Sequence, residues 1–504
     1  MRSFADRIRT STPWQVAIVI ASVCAVQLPM ITHAGFSSTE GHRVIPAWEM
    51  LDTGDVLVPH MFGRPYLRKP PGIAWAIAST GAILGESEFS ARLVSVLASI
   101  AMGLLVLAMA SRWFGKPWGL VAALAQILFP MYWPPGRSAE IEALNNLATM
   151  ATVLPFIDLA LASARDRRHH WWLALLMTAG AALMAATKGP AGLPALAGAL
   201  IGVLIAGRAI RPILRLEIVG ALAIAALLTG LYVYLLSGAI PGSDRLPTTQ
   251  NVTEFLWGGE GTLAHRIGGV LLLPLKALLA GSPLTYAVLG PWVFARSFRD
   301  LFDDRALRLC RALALAWPAS ILVLMSVGID NHRYSMVSMV TLAPLAGATI
   351  AAASHAAATH ASRIARFFFL DRPSVWLAGL LIGAAIYIPI FETGRARRSG
   401  KRAGIMLAAQ LPDGARVVAD HLVEARPEVL LYARRAAAAD SRHVVVNWID
   451  HHQARVELRP GDYAVIRTDD HSDESLVYRS LDMVLIATGQ VHEYEFELRR
   501  MPAP

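Results

Sequence analysis

Apolar runs of about 20 residues recur along most of this chain, and each is long enough to cross a hydrocarbon core about 30 Å thick. A chain built this way must satisfy its backbone inside helices or a closed barrel. Barrel strands would be alternating segments of about 10 residues, so the runs exclude a β-barrel. The sequence therefore reads as an α-helical polytopic membrane protein. Spans are expected near 14–31, 89–111, 117–131, 143–162, 171–187, 190–207, 216–237, 282–295, 312–328, 334–354 and 375–391. That makes about eleven crossings. Residues 267–280, interrupted by Lys276, are expected to lie along the membrane surface.

Basic residues sit in short turns between spans, as topology signals do. The formal charge of +9 therefore points to membrane orientation and gives no reason to expect nucleic-acid binding. Arg112, Lys116, the run Arg165–His170, Arg208, Arg211, Arg215 and the arginines of 296–311 all fall on one face, read as cytoplasmic. Arg395, Arg397, Arg398, Lys401 and Arg402 break the pattern, because they follow a span expected to exit on the other face. Cys24 and Cys310 are far apart in sequence and at no metal-type spacing.

Between the first two spans lies an external loop, 32–75, too long and too mixed for a simple connector. Irregular connections beyond about 12–15 residues are usually functional or disordered, and the aromatic content here argues for order. The loop is expected to fold and to hold a polar site at the membrane surface. After about 404 the pattern changes to short β-rich runs, 416–419, 443–447, 463–467, 483–487 and 492–497, with helical pieces such as 424–435. This reads as a small soluble α/β domain. The expected division is 1–392 for the transmembrane domain and 393–504 for the C-terminal domain.

Charged groups in an apolar chain are costly unless they face a cavity or a partner. Glu40 opens the loop at the membrane edge. Glu140 and Glu142 begin a span, where a carboxylate gains from the helix dipole; two residues apart on a helix, they are not expected to face the same way. Arg64, Tyr66, Arg68 and Lys69 precede Pro70-Pro71-Gly72, whose prolines stiffen the approach to the next helix. Cations grouped around an aromatic suit a lipid phosphate, or ordinary anchoring to anionic lipid. Lys188 and Arg333 sit at external ends of spans and either snorkel or join the same anionic pocket. Thr39, His42, Arg43 and His265 are further candidates.

Five stretches in order resemble a known family: Glu49–Trp75 (EMLDTGDVLVPHMFGRPYLRKPPGIAW), FSARLVSVL, GRSAEIEALNNL, TKGPAGLPAL and NHRYSMVSMVTLAPLAG. They are similar to the bacterial aminoarabinose transferases and protein O-mannosyltransferases, integral membrane glycosyltransferases of the GT-C superfamily that use polyprenyl-phosphate-linked sugars. The resemblance covers most of 30–350. It implies a GT-C type fold and a phosphate-binding role for Lys69, Tyr66 and Arg333, with Arg64 beside them. The family's Asp-Glu pair falls on Thr39 and Glu40, so the acceptor-side carboxylate is expected from Glu40, with Glu142 as the second one. Where aminoarabinose transferases carry an acidic residue before the lysine, this chain has Arg68, and no metal is implied.

The resemblance implies a glycosyltransferase of a bacterial inner (cell) membrane, facing the periplasm and part of cell-envelope chemistry. It would move a hexose or pentose from a polyprenyl-phosphate donor to a lipid, glycan or protein, with inversion. Membrane lipids are expected partners, the lipid-linked sugar is the substrate, and no cofactor is expected. The alternatives are a lipid or anion transporter or flippase, and a catalytically inactive lipid-binding relative.

Overall fold

The computed structural model describes residues 11–37, 39–162, 171–208, 210–240, 263–329, 331–359, 373–449, 457–467, 481, 483–492 and 494–502. Six helices among them are long and apolar enough to cross a membrane, or seven if the pair Gly268–Ala280 and Leu284–Val293, bent by 95°, counts as one broken span. The surface segment expected at 267–280 and the span expected at 282–295 are thus the two arms of that bend. Thr12–Gln27 is a shorter apolar helix, and Lys116–Ile127 and Pro373–Arg398 fall where further spans were expected.

The 37 apolar residues Trp171–Gly207 form two legs, Trp171–Lys188 and Leu193–Gly207. A single helix of that length would run about 55 Å, well beyond the hydrocarbon core. The chain instead turns at Gly189, whose φ of +58° favours a residue without a Cβ. Lys188 at the end of the first leg lies 3.3 Å from Glu142, at the start of Ile141–Leu161. Gly207 at the end of the second leg lies beside Leu161, at the far end of that same helix. The two spans expected near 171–187 and 190–207 therefore form a hairpin that turns at Thr187-Lys188-Gly189-Pro190.

Small residues allow the second leg its closest neighbour. A Cβ on Gly198 would stand 2.3 Å from the Ala316 carbonyl oxygen, and one on Gly202 2.4 Å from that of Ala312. Helices pack in membranes through such small-residue faces, because lipid offers no hydrophobic drive to associate. Four residues along, the same face of Asp304–Ser326 presents Ser320 to Gly198.

Basic groups gather at the opposite end of Ile141–Leu161 from Glu142. Arg112 and Arg305 both donate to the fully buried Asp158 carboxylate, and Arg215 donates to the carbonyls of Leu159 and Ala162. These are the residues that the positive-inside pattern placed on one face.

The loop 32–75 is ordered. The helix Gly41–Thr53 is followed by a hairpin of β1 (His60–Met61) and β2 (Arg64–Pro65). Phe62 and Gly63 both have positive φ, as a two-residue hairpin turn requires. The buried Glu49 carboxylate accepts from both of their amides, at 2.7 and 3.2 Å. Gly72, just after the two prolines, packs so tightly on the Ala186 carbonyl that a Cβ would come within 2.6 Å. The Arg68–Lys69 segment is thereby brought to the end of the helix that carries Lys188.

The C-terminal part holds a five-stranded sheet, order β4-β3-β5-β7-β6, from β3 (Arg416–Ala419), β4 (Val445–Trp448), β5 (Tyr463–Arg467), β6 (Val484–Val491) and β7 (Tyr494–Arg500). β3 pairs in parallel with β4 and β5, while β7 runs antiparallel to β5 and β6. The helix expected over 424–435 is broken into His421–Ala425 and Glu428–Ala439 around Pro427, which cannot continue a helix without losing a backbone bond. This domain docks on the loop. The Tyr432 hydroxyl accepts from the Phe36 amide at 2.7 Å and donates to Glu88 at 2.9 Å, and Arg435 donates to the Glu86 carbonyl. The loop and the C-terminal domain therefore share one face.

Helix Pro373–Arg398 runs through the expected division at 392/393 without a break. Arg395, which looked like a misplaced topology signal, turns inward to Glu40 and Glu392. A paired, buried arginine carries no orientation signal, which accounts for the apparent exception at this position.

Replacing Gly202 by Val should force the two helices apart at Ala312 and cost about 1–3 kcal/mol, as overpacking does. A lower midpoint of thermal unfolding in detergent would show it; an unchanged midpoint would contradict the close crossing.

Candidate active site

Glu40, expected to serve as the acceptor-side carboxylate, is 1% exposed and fully engaged. Arg92 reaches it with two parallel bonds, Nε to Oε1 at 2.9 Å and Nη2 to Oε2 at 3.0 Å. Arg395 Nη2 bridges both oxygens at 3.0 and 3.2 Å. The Ala139 amide adds a bond to Oε1 at 2.9 Å, and the Ser37 amide one to Oε2 at 3.0 Å. Burial works to raise its pKa, but the Arg395 and Arg92 charges and these donors outweigh it and hold it at about 2. A carboxylate with no unused oxygen and so low an affinity for protons cannot be the base. Its folded pKa lies below the ordinary 4.5, so its stabilisation is present above about pH 4.5 and is lost as pH falls toward 2.

Arg92 is buried to the same degree and satisfies all five of its N–H donors. Besides Glu40 it donates to the carbonyls of Ile31, Ala34 and Gly35 at 2.6, 2.7 and 3.0 Å. Arg395 also donates to the Arg137 carbonyl and to Glu392, both at 3.1 Å. Arg137 in turn bonds Glu392 and the carbonyls of Val26 and Gln27. The network ties the end of the first helix, the loop entrance, the turn before Glu140 and the last span into one body.

A second charge cluster is partly open. Arg333 Nη2 lies 3.3 Å from Glu140 Oε2 and 3.2 Å from Glu142 Oε1, while Lys188 Nζ lies 3.3 Å from Glu142 Oε1. The two glutamates do face the same way. Glu140 is the N-cap, with φ −109° and ψ 168°, so the helical argument that would separate them does not hold. Its carboxylate makes no cap bond to the helix, which leaves it to the cluster. Burial raises the Glu140 pKa, and the neighbouring Glu142 and Glu40 charges push it further up against the pull of Arg333. Arg333 is set by Asn331, whose side-chain oxygen accepts from its amide at 3.0 Å, and its own side chain remains 55% exposed. Lys188 lies over the Tyr334 ring at 5.1 Å.

The loop supplies the rest. Tyr66 is buried, its ring 6.0 Å from that of His42. Lys69 is half-buried, and Arg68 is exposed with its charge acting on His42. Arg43 Nε and Nη1 are buried without a hydrogen-bond partner among the described residues, and the Arg43 charge reaches both His42 and Glu142. Arg64 lies 3.8 Å from Glu457 of the C-terminal domain. Thr39 is exposed beside the buried Glu40 and offers a hydroxyl where the family pattern has a carboxylate. His265 falls in the helix Leu263–Ala280, but its side chain lies outside the described residues. Among the described residues no group of three or more His, Cys, Asp or Glu side chains gathers in a way that could hold a metal ion.

Arg92, Arg137 and Arg395 were not among the sequence candidates. A signal was available: an arginine within the apolar run FSARLVSVL needs a buried partner.

Comparison with known proteins follows the same outline. The family described as dolichyl-phosphate-mannose-protein mannosyltransferase matches residues 68–236. An uncharacterized protein of Aquifex aeolicus is 32% identical over 157 residues, 31% of this chain and 34% of that protein. An undecaprenyl phosphate-alpha-4-amino-4-deoxy-L-arabinose arabinosyl transferase of Pectobacterium atrosepticum is 29% identical over 208 residues, 41% of this chain and 36% of that one. The matched segment thus spans about a third of the length of these relatives. The crystal structure of ArnT from Cupriavidus metallidurans superposes over 98% of this chain and 99% of its own, with a TM-score of 0.69 at 16% identity. The fold is that of ArnT. The same protein bound to undecaprenyl phosphate gives a TM-score of 0.67 over 98% of this chain. In sequence motifs and in fold, the chain resembles the GT-C membrane glycosyltransferases.

Replacing Glu40 by Gln should lower stability by about 3–5 kcal/mol, because it leaves buried arginine charge uncompensated. Thermal unfolding in detergent reads this directly. An inactive but fully stable variant would instead restore Glu40 as a catalytic group.

Proposed function

We propose that this protein is a polyprenyl-phosphate-sugar-dependent glycosyltransferase of a bacterial inner membrane, with its site on the periplasmic face. The observation that carries the reading is the Glu140–Glu142 pair, neutralised by Lys188 and Arg333 beside the loop that carries Lys69 and Tyr66. Carboxylates and cations in alternation suit a reaction in which a proton is taken at one point and phosphate charge develops at another. The basic groups at the far end of Ile141–Leu161 support the orientation, by the positive-inside pattern.

In this reading the acceptor oxygen attacks the anomeric carbon of the donor as the bond from that carbon to the phosphate oxygen breaks. The lipid phosphate leaves with one more negative charge, met by Lys69 and Arg333, with the Tyr66 hydroxyl alongside. Donors fixed where charge develops commonly supply the largest catalytic contribution. The acceptor proton passes to Glu140. A carboxylate with a raised pKa is a better base than an ordinary one, and Glu142, held by Lys188, keeps it in place. Direct displacement inverts the anomeric centre. A phosphate leaving group needs no acid to protonate it, in contrast to the paired carboxyl groups of a glycosidase. Glu40 acts from behind the site: its bond to the Ala139 amide fixes the residue next to Glu140.

The test is turnover of polyprenyl-phosphate sugar by the Glu140→Gln variant. Rate should fall by about 100-fold or more, on the scale of lost general-base catalysis, with unfolding temperature unchanged. In the parent protein, rate should decline as pH drops through a midpoint above the ordinary 4.5, because a raised pKa means Glu140 gains its proton earlier. The variant should lose that limb. Normal turnover in Glu140→Gln would remove Glu140 as base; lipid binding without turnover in the parent would favour an inactive lipid-binding relative.

A further inference from the structure

His42 is 7% exposed, and its position is set by the C-terminal domain. Its Nε2 lies 2.8 Å from the Glu424 carbonyl oxygen. A carbonyl can only accept, so Nε2 carries the hydrogen and Nδ1 is left as a bare acceptor. Burial, and then the Arg43 charge, lower the His42 pKa to about 4, so the ring is neutral at physiological pH and stays in this tautomer. Nδ1 is buried and has no partner among the described residues. The next residue, Arg43, buries Nε and Nη1 in the same state. Buried polar groups are nearly always paired, and leaving one unpaired costs about 1–3 kcal/mol. Here an acceptor and a charged donor on consecutive residues are unpaired together. Arg68 adds a second cation acting on His42, and the Arg43 charge reaches Glu142.

We propose that His42 Nδ1 and the Arg43 guanidinium form a subsite for a sugar phosphate, Arg43 donating to a phosphate oxygen and His42 accepting from a nearby sugar hydroxyl. The chemistry follows from the pair: Arg43 needs an acceptor with negative charge, and Nδ1 needs an O–H donor. A bare phosphate diester satisfies only the first. His42 is then a residue that reads the sugar, and the C-terminal domain takes part in that reading by fixing the ring's tautomer through Glu424. The subsite rests on the transferase reading, and its ligand is either the lipid-linked donor or an acceptor that carries a phosphorylated sugar.

The experiment compares binding of polyprenyl phosphate and of polyprenyl-phosphate-hexose to the full-length protein by native mass spectrometry, together with acceptor KM. The variants are His42→Phe, which keeps a ring beside Tyr66, and His42→Asn, which can return an acceptor oxygen. If the donor occupies the subsite, His42→Phe weakens the sugar-bearing lipid roughly tenfold, the value of one buried hydrogen bond. Polyprenyl phosphate is then unaffected, and His42→Asn recovers part of the loss. If the acceptor occupies it, both lipids bind as before and acceptor KM rises by the same factor. Unchanged donor binding and unchanged KM overturn the subsite while leaving the transferase reading intact. A parent protein that binds neither lipid overturns both. Should His42→Phe not fold, Arg43→Gln serves in its place, with weaker binding of the phosphate-bearing ligand expected and unchanged binding contradicting the proposal.

Discussion

The structure depends on a buried carboxylate. Glu40 sits where the first span, the loop, the turn before Glu140 and the last span meet, and it accepts bonds from Arg92, Arg395 and two amides. Burying a charge costs several kcal/mol unless it is paired and bonded throughout. Here every oxygen is used, and Arg92 is equally complete. Such a cluster tolerates one arrangement of its backbone partners. It places Ala139, and with it Glu140, relative to the loop that carries Tyr66 and Lys69.

Two kinds of charge pairing coexist a few residues apart. Around Glu40 and Glu392 the ions are sealed in, which gives definition to the fold. Around Glu140 and Glu142 they are partly open, with Arg333 more than half exposed, so a ligand can exchange partners with them. The sealed network holds the frame, and the open one leaves charged groups within reach of solvent. The C-terminal domain is joined to the sealed network by the helix that carries Arg395, and its Glu424 carbonyl bonds His42 in the loop. The small C-terminal domain thus packs against the loop.

Much of this was legible in the sequence. Apolar periodicity located the spans because a helix in lipid must satisfy its own backbone, and strands β3 and β5 fall on the residues expected. The Trp171–Gly207 hairpin was readable from Lys188-Gly189-Pro190. The loop's order followed from its aromatics. What stayed hidden were pairings distant in sequence: Glu40 with Arg395 spans 355 positions, and no local pattern distinguishes a carboxylate that is sealed from one that is open. The same blindness made Arg395 look like a topology signal. Glu140 shows the limit of helical reasoning at an end residue, where extended backbone directs the side chain away from the expected face.

The claim that one buried cluster organises loop, turn and C-terminal domain together is tested most directly by hydrogen–deuterium exchange on the full-length Glu40→Gln protein. The account predicts faster exchange in three places at once: the amides around Ala139, the loop entrance at Ser37, and the segment His421–Ala425 that holds His42. Faster exchange confined to the residues next to position 40, with the Ala139 turn and the C-terminal segment unchanged, would contradict it.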